Sequence, residues 1–144
     1  MKTALVRPLW FWILALGCNG GGGGGGPIAP APLQVSGTWT ETSQIVSNPC
    51  ELELPGTLTG TFQLSQSGTQ LTVSSEGEVV GSGSLNLTTG DFTLSGTDTI
   101  EGLTITVVQS GRFSSSTRYT AETVITITDG VVVCTLRTND SGSR

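Results

Sequence analysis

The feature that most constrains the fold is an alternation of apolar and small polar residues with a period of two. Leu58, Gly60, Phe62 and Leu64 are separated by Thr59, Thr61 and Gln63. Side chains of a strand point alternately to opposite faces, so this period indicates strands with one buried face. The pattern recurs along the chain, and its predicted inward positions are Leu71, Val73, Val79, Gly81, Gly83, Leu85, Leu87, Phe92, Leu94, Gly96, Leu103, Ile105, Val107, Ala121, Thr123, Ile125, Ile127, Val131 and Val133. The sequence therefore predicts an all-β domain.

Turn-forming residues separate these runs, at Ser67-Gly68, Thr89-Gly90-Asp91, Gly111-Arg112 and Asp129-Gly130. They predict eight strands, over residues 37–46, 56–65, 69–75, 78–88, 91–99, 102–110, 116–128 and 131–138. Because the connections are short, the strands should form an antiparallel up-and-down meander. An eight-stranded sheet without a covering helix removes its edges by closing into a barrel. We expect this barrel over residues 37–138 and a disordered tail over 139–144.

The start of the first predicted strand, Gly37-Thr38-Trp39, resembles the Gly-x-Trp motif of the lipocalin and calycin group. The resemblance covers about residues 35–138 and implies an eight-stranded barrel with Trp39 packed across its closed end. Avidin-type barrels and small bacterial protease-inhibitor barrels begin similarly. The chain differs from a lipocalin in being shorter and in having no helical pattern after the barrel.

The N-terminal 17 residues have the pattern of a secretory signal peptide. Lys2 and Arg7 precede a short apolar run over residues 9–16, which is too short to span a bilayer as a helix. Ala15-Leu16-Gly17-Cys18 resembles the lipobox of bacterial lipoproteins. That resemblance implies cleavage before Cys18 and a diacylglycerol on its thiol. The alternative is an ordinary secretory signal followed by an incidental cysteine.

A glycine run and alternating prolines follow Cys18, from Gly20 to Pro32. Such residues bury little surface and favour extended, disordered chain. Residues 18–36 are therefore predicted to be a flexible tether between the lipidated Cys18 and the barrel. Asn19 is not the Asp that retains enteric-type lipoproteins in the inner membrane, so we expect a lipid-anchored protein of the bacterial cell envelope, in the outer membrane.

The cysteines fit this arrangement. The chain has three, and lipidation of Cys18 would leave Cys50 and Cys134 to form a disulfide in an oxidising compartment. Two buried free thiols are the alternative. Cleavage before Cys18 would leave four basic and eleven acidic residues, a net charge of −7. Such a surface repels nucleic acid, so no nucleic-acid partner is expected.

The sequence contains no histidine and no lysine beyond Lys2, so it lacks the side chains that usually activate a serine nucleophile. We therefore expect no enzyme activity, catalytic residue, cofactor or metal. Arg112, Arg118 and Tyr119 are predicted to lie at a barrel mouth, where they could contact the anionic head of a ligand; the alternative is a solvated loop without a ligand. Trp39 is expected to pack in the core.

Two functions follow from a barrel of this size. An eight-stranded barrel can hold one small ligand, so the first is binding of a small apolar or amphipathic molecule. The second is binding of a protein, as a protease inhibitor or a surface interaction domain, through an end loop such as residues 46–55 that Cys50 would fix. The interior glycines Gly60, Gly81, Gly83 and Gly96 either open space or relieve crowding. We expect a monomer.

Overall fold

The computed structural model describes residues 31–144, which form eight strands. They are β1 (Gly37–Ser47), β2 (Thr57–Ser67), β3 (Gln70–Ser75), β4 (Glu78–Leu85), β5 (Asp91–Ile100), β6 (Leu103–Ser115), β7 (Arg118–Thr128) and β8 (Val133–Ser143). Each strand pairs with the next, and β8 pairs with β1 to close the barrel. The predicted eight-stranded antiparallel up-and-down barrel is confirmed. None of the residues from 31 to 144 forms a helix able to cross a bilayer.

The two ends of the barrel differ. The Trp39 end carries the start of β1, the end of β8 and the β2–β3, β4–β5 and β6–β7 connections. The disulfide end carries the other four connections, including the β1–β2 loop over residues 48–56. Because consecutive strands are antiparallel, successive connections lie at alternate ends of the barrel.

The Trp39 end is closed by apolar side chains. Trp39 is fully buried, and its indole Nε1 donates to the Val35 carbonyl oxygen at 2.8 Å. Val35 is also fully buried, and its amide donates to Gln66 Oε1 at 2.8 Å. Residues 33–36, which the sequence assigned to the disordered tether, are thus docked on the barrel. The physical reason is that Leu33 and Val35 bury apolar surface in the core at this end.

At the disulfide end, Cys50 in the β1–β2 loop is bonded to Cys134 near the start of β8, which confirms the predicted disulfide. Asn48 organises the loop, because its side-chain amide donates to the Leu52 carbonyl oxygen at 2.9 Å and accepts from the Leu52 amide at 3.3 Å. Leu52 and Leu54 pack against the apolar cluster of Ile105, Ile125, Ile127 and Leu136. The loop therefore covers part of this end.

The barrel wall is lower on one side, because β3 and β4 are shorter than the strands around them. The β2–β3 ladder covers Gln63–Ser67 of β2, and the β4–β5 ladder covers Phe92–Ser95 of β5. Within the described part of the chain, no ladder joins residues 57–60 of β2 or 97–100 of β5 to the hairpin between them. A gap in the wall, here called the side gap, results near the disulfide end.

Two predicted boundaries are wrong. β8 continues to Ser143, so residues 139–144 are not a disordered tail. The Asn, Asp, Ser and Gly residues of this segment are poor strand formers, but β7 and β1 pair with it on both sides. Gly111-Arg112 is not a turn but lies inside β6, where Gly111 pairs with Phe92 and Ala121.

Three predicted inward positions are also wrong. Val79 is 70% exposed, because an irregularity in the β3–β4 pairing places Val80, rather than Val79, against the core. A β-bulge of this kind shifts the alternation by one residue. Val131 and Val133 are 90% and 66% exposed, since Val131 belongs to the β7–β8 turn and β8 begins only at Val133.

Candidate functional site

A cavity of about 90 Å³ lies inside the barrel, between the apolar clusters at its two ends. A single buried water needs roughly 10–15 Å³, so the space exceeds that of one water molecule. Six apolar side chains form most of its wall, namely Leu58, Phe62, Leu94, Ile105, Val107 and Ile125. Seven polar side chains and three glycines form the rest, namely Glu41, Ser43, Thr59, Ser95, Gln109, Thr123, Thr138, Gly60, Gly81 and Gly96. The interior is thus neither fully packed nor uniformly apolar.

The cavity opens toward the side gap. Thr59 and Ser95 lie on the outward alternation of β2 and β5, and both are exposed, yet both line the cavity. Gly81 and Gly96 lie beside them, and a side chain on Gly96 would clash with the Val80 carbonyl oxygen. Glycine at this position therefore allows β4 and β5 to approach closely and also leaves the cavity wall without a side chain.

The polar side of the cavity is organised around the Glu41 carboxylate. Glu41 is on β1, two residues after Trp39, so the strand alternation directs both side chains inward. Glu41 Oε2 accepts hydrogen bonds from the Tyr119 hydroxyl and from Gln109 Nε2, the latter at 2.6 Å. Glu41 Oε1 accepts a longer one from Ser43 Oγ at 3.4 Å. Of its two oxygens, Oε1 is thus the more weakly bonded.

A second carboxylate, Asp140 on β8, is linked to Glu41 through the side chain of Gln109. It is 5% exposed, and its Oδ1 accepts from Thr138 Oγ1 at 2.8 Å. Its Oδ2 accepts from the Thr123 hydroxyl and from Gln109 Nε2, the latter at 3.2 Å. Gln109 Nε2 therefore lies between the two carboxylates. Every buried side-chain N or O atom among residues 31–144 has a hydrogen-bond partner, as burial of polar groups requires.

These surroundings change the acidity of two groups. Burial raises the pKa of Glu41 above its usual value, and the negative charge of Asp140 adds to this effect. The hydrogen bonds from Tyr119, Gln109 and Ser43 oppose the shift of the Glu41 pKa, but only in part. Burial and the nearby Glu41 carboxylate also raise the pKa of Tyr119, so its hydroxyl remains a donor.

The three predicted mouth residues lie at one end of the β6–β7 pair but do not share one face of the barrel wall. Tyr119 is 3% exposed, and its ring packs on Trp39, Phe92 and Phe113 with centroid distances of 5.3–5.4 Å. Arg112 and Arg118 project from the outer surface at the Trp39 end, because they alternate with the inward-facing Phe113 and Tyr119. None of the predicted three lines the cavity. The cavity therefore does not include the predicted mouth residues, and their contact with a ligand head stays a prediction.

The two arginines also differ in their contacts. Arg112 Nε donates to Asp91 Oδ1 at 2.6 Å in an exposed ion pair. This hydrogen bond holds the pKa of Asp91 below its usual range. Arg118 is exposed, and its carbonyl oxygen lies 3.4 Å from Ser114 Oγ.

Cys18, the predicted lipidation site, lies outside the described residues.

The carboxylates in the interior are the residues that the sequence reading missed. The signal for Glu41 was present, since it shares the alternation of Trp39, and Gln109 shares that of Ile105 and Val107. Asp140 could not be placed, because the last strand was predicted to end at residue 138. A charged residue on the inward alternation of a strand therefore indicates a polar site inside a barrel of this type.

The described residues define a class: small closed barrels of eight antiparallel strands that enclose a partly polar cavity. Among residues 31–144, no three His, Cys, Asp or Glu side chains are placed so that they could hold a metal ion. No protein-family model matches the sequence, and no curated protein or solved structure is significantly similar to it. The function of the protein is therefore inferred from the site itself.

Proposed function

We propose that this protein is a lipid-anchored protein of the bacterial cell envelope, whose barrel binds a small apolar or amphipathic molecule in its cavity. The observation that carries the proposal is the cavity of about 90 Å³, with apolar walls and a polar side formed by Glu41 and Gln109. Ligand sites commonly combine apolar walls with a few polar groups that orient the ligand. The side gap gives a ligand a route into the barrel.

The anchor part of the proposal is supported by the cysteines. The disulfide uses Cys50 and Cys134, which leaves Cys18 as the one cysteine of the sequence available for a lipid. The sequence before Cys18 resembles a lipobox, and the chain joins the barrel at the Trp39 end. A lipid at Cys18 would hold that end nearer the membrane and leave the side gap and the disulfide end farther from it.

Ligand binding can be tested with n-butanol as a small amphipathic probe. The protein with Cys18→Ser keeps every residue of the barrel and avoids detergent, which would compete for an apolar cavity. We expect saturable changes in the NMR signals of the Ile105 and Ile125 methyl groups, which line the cavity. Val107→Phe should weaken binding because it fills the cavity, whereas Val108→Phe, on the outer face, should not. Absence of saturable changes at both isoleucines would contradict the proposal.

A second candidate function is supported by the exposed valines at the disulfide end. Val131 and Val132 are 90% and 63% exposed, and apolar side chains on a turn are common in protein-binding surfaces. Glu101 and Asp129 lie on the adjoining β5–β6 and β7–β8 turns. The surface would therefore suit an extended, basic protein segment with apolar residues, by charge complementarity.

This alternative is tested with a synthetic peptide of alternating lysine and valine. Salt-sensitive binding that shifts the amide signals of Val131–Val133, and that Val132→Ser weakens, would support a protein-binding barrel. Binding that Val132→Ser leaves unchanged, or no binding at low salt, would exclude this surface as the site.

A further inference from the structure

The charges inside the barrel are all negative. Glu41 and Asp140 point into the interior, whereas each of the four arginines among residues 31–144 lies on the outside. Arg112 pairs with Asp91, and Arg137 Nη1 pairs with Glu122 Oε1 at 2.8 Å. Two carboxyl groups thus share a low-dielectric interior without a cation from residues 31–144.

At the cavity wall, the side-chain donors are already bonded, whereas an acceptor has capacity left. The hydroxyls of Tyr119 and Thr123 and the amide of Gln109 already donate to Glu41 or Asp140. Glu41 Oε1 has acceptor capacity left, since its bond from Ser43 Oγ is long at 3.4 Å. A carboxylate oxygen accepts hydrogen bonds, so the complementary group on a ligand is a donor.

A ligand with an anionic head would place another negative charge beside the carboxyl groups of Glu41 and Asp140. Like charges at short distance in a low-dielectric site repel strongly. A cationic head has the opposite effect, because it neutralises one of two adjacent carboxylates and makes a charge-assisted hydrogen bond. Burial and Asp140 disfavour the charged form of Glu41 and raise its pKa, and an ammonium group beside Oε1 would act against both effects.

We propose that the cavity binds a small apolar molecule carrying a protonated amine, with the ammonium group donating to Glu41 Oε1 and the hydrocarbon part against Ile105, Val107 and Ile125. The proposal depends on the function proposed above and specifies the chemical class of its ligand. It also reverses the charge expected from the sequence, which placed arginines rather than carboxylates near the ligand head.

Three probes of equal length test the charge preference: n-butylamine, n-butanol and butyrate. Each is titrated into the Cys18→Ser protein, and the Ile105 and Ile125 methyl signals are followed. We expect butylamine to bind at least about tenfold more tightly than butyrate, with butanol between them, since a charge-assisted hydrogen bond supports a difference of that order. Glu41→Gln should bring butylamine to the affinity of butanol, whereas Glu122→Gln, on the outer face, should leave the order unchanged.

The outcomes separate the two proposals. If butanol binds in the cavity and butylamine binds no more tightly, the amine preference is wrong and the ligand-binding function stands. If none of the three changes the isoleucine signals, both are wrong. Butylamine that shifts only the amides of Glu76 and Glu101, on exposed turns, would show surface attraction and would also overturn the amine site. Because the wild-type barrel gives this comparison, it does not depend on the folding of Glu41→Gln.

Discussion

At the scale of single residues, the most informative position is Glu41. A carboxylate in a barrel interior loses hydration, which is costly unless donors replace the water. Tyr119, Gln109 and Ser43 supply donors, but the Glu41 pKa remains raised because burial and Asp140 outweigh them. The folded protein therefore holds the Glu41 proton at a pH where the unfolded chain has released it.

The raised pKa of Glu41 makes the free energy of unfolding depend on pH. Below the unfolded pKa, Glu41 is protonated in both states and its contribution to stability is complete. As pH rises from about 4.5 through the raised folded pKa, the unfolded state loses its proton first, and stability falls. Glu41→Gln should remove this part of the pH dependence and raise the free energy of unfolding near pH 7 by on the order of 1 kcal/mol. Urea unfolding across this pH range measures both.

The matched control is Glu122→Gln, because Glu122 is an exposed carboxylate paired with Arg137. Its effect on the free energy of unfolding should be within about 1 kcal/mol, and the loss of stability on raising the pH should remain. If Glu41→Gln and Glu122→Gln gave the same pH profile, the interior placement of Glu41 would be contradicted.

At the scale of strands and loops, the alternation of residues predicted the strands and the short connections predicted their order, because both signals are local in the sequence. What it could not predict arises from pairing between distant segments. β8 extends to Ser143 because two neighbours hold it, Val79 faces outward because of a bulge opposite β3, and residues 33–36 are ordered by Gln66 on β2. The interior network depends on the same pairing, since it joins residues of β1, β6, β7 and β8.

The pairing of β7 with β8 makes a prediction at Gly142. Gly142 is opposite Tyr119, and a Cβ at Gly142 would clash with the Tyr119 ring. Gly142→Ala should displace that ring, weaken its hydrogen bond to Glu41 and cost about 1–3 kcal/mol of stability. Gly56→Ala is the control, because a Cβ at Gly56 meets no atom within 4 Å. Equal melting temperatures for both variants would show that Tyr119 is not packed on β8.

The disulfide makes a second prediction at this scale. It closes a separation of 84 residues and ties the β1–β2 loop to β8. Replacing both cysteines, Cys50→Ser and Cys134→Ser, should lower the free energy of unfolding by about 2–5 kcal/mol. Denaturant unfolding measures the change, and mass measurement after alkylation without reductant checks the bond. Two alkylated thiols in the exported, denatured wild type would contradict the disulfide.

At the scale of the whole molecule, charge is distributed unequally between the two ends. The connections at the disulfide end carry Glu51, Glu53, Glu76, Glu101 and Asp129, whereas Arg112, Arg118 and Arg144 lie toward the Trp39 end. Arg144 also lies over the Trp39 ring, 5.9 Å from its centroid, and donates to the Ser36 carbonyl oxygen. The end at which the chain enters the barrel is thus the more basic one. This polarity would favour the Trp39 end facing anionic headgroups if Cys18 is lipidated.

Lipidation of Cys18 is tested by growing cells with a labelled fatty acid. We expect the wild type to take up label and to fractionate with membranes, and Cys18→Ser to do neither, because acyl chains supply the membrane affinity. A wild-type protein without label would show that residues 1–17 form an ordinary secretory signal.

Trp39 reports on the fold as a whole. If residues 1–17 are removed, it is the only tryptophan left, and it is fully buried. Its emission should be blue-shifted in the folded protein and move to the red on denaturation. Trp39→Ala should cost about 3–5 kcal/mol, because it removes a large buried side chain. Red-shifted emission from folded protein would contradict a closed Trp39 end.

The ionisation of Glu41 tests most directly whether a closed barrel holds an acidic group against an internal cavity. The ¹³C signal of the Glu41 side-chain carboxyl, identified by its absence in Glu41→Gln, is followed by NMR as pH is raised. The structure predicts a midpoint clearly above the ordinary glutamate value of 4.5, because burial and Asp140 both favour the protonated form. A midpoint at or below 4.5 would mean that Glu41 is solvated, and would contradict the interior site.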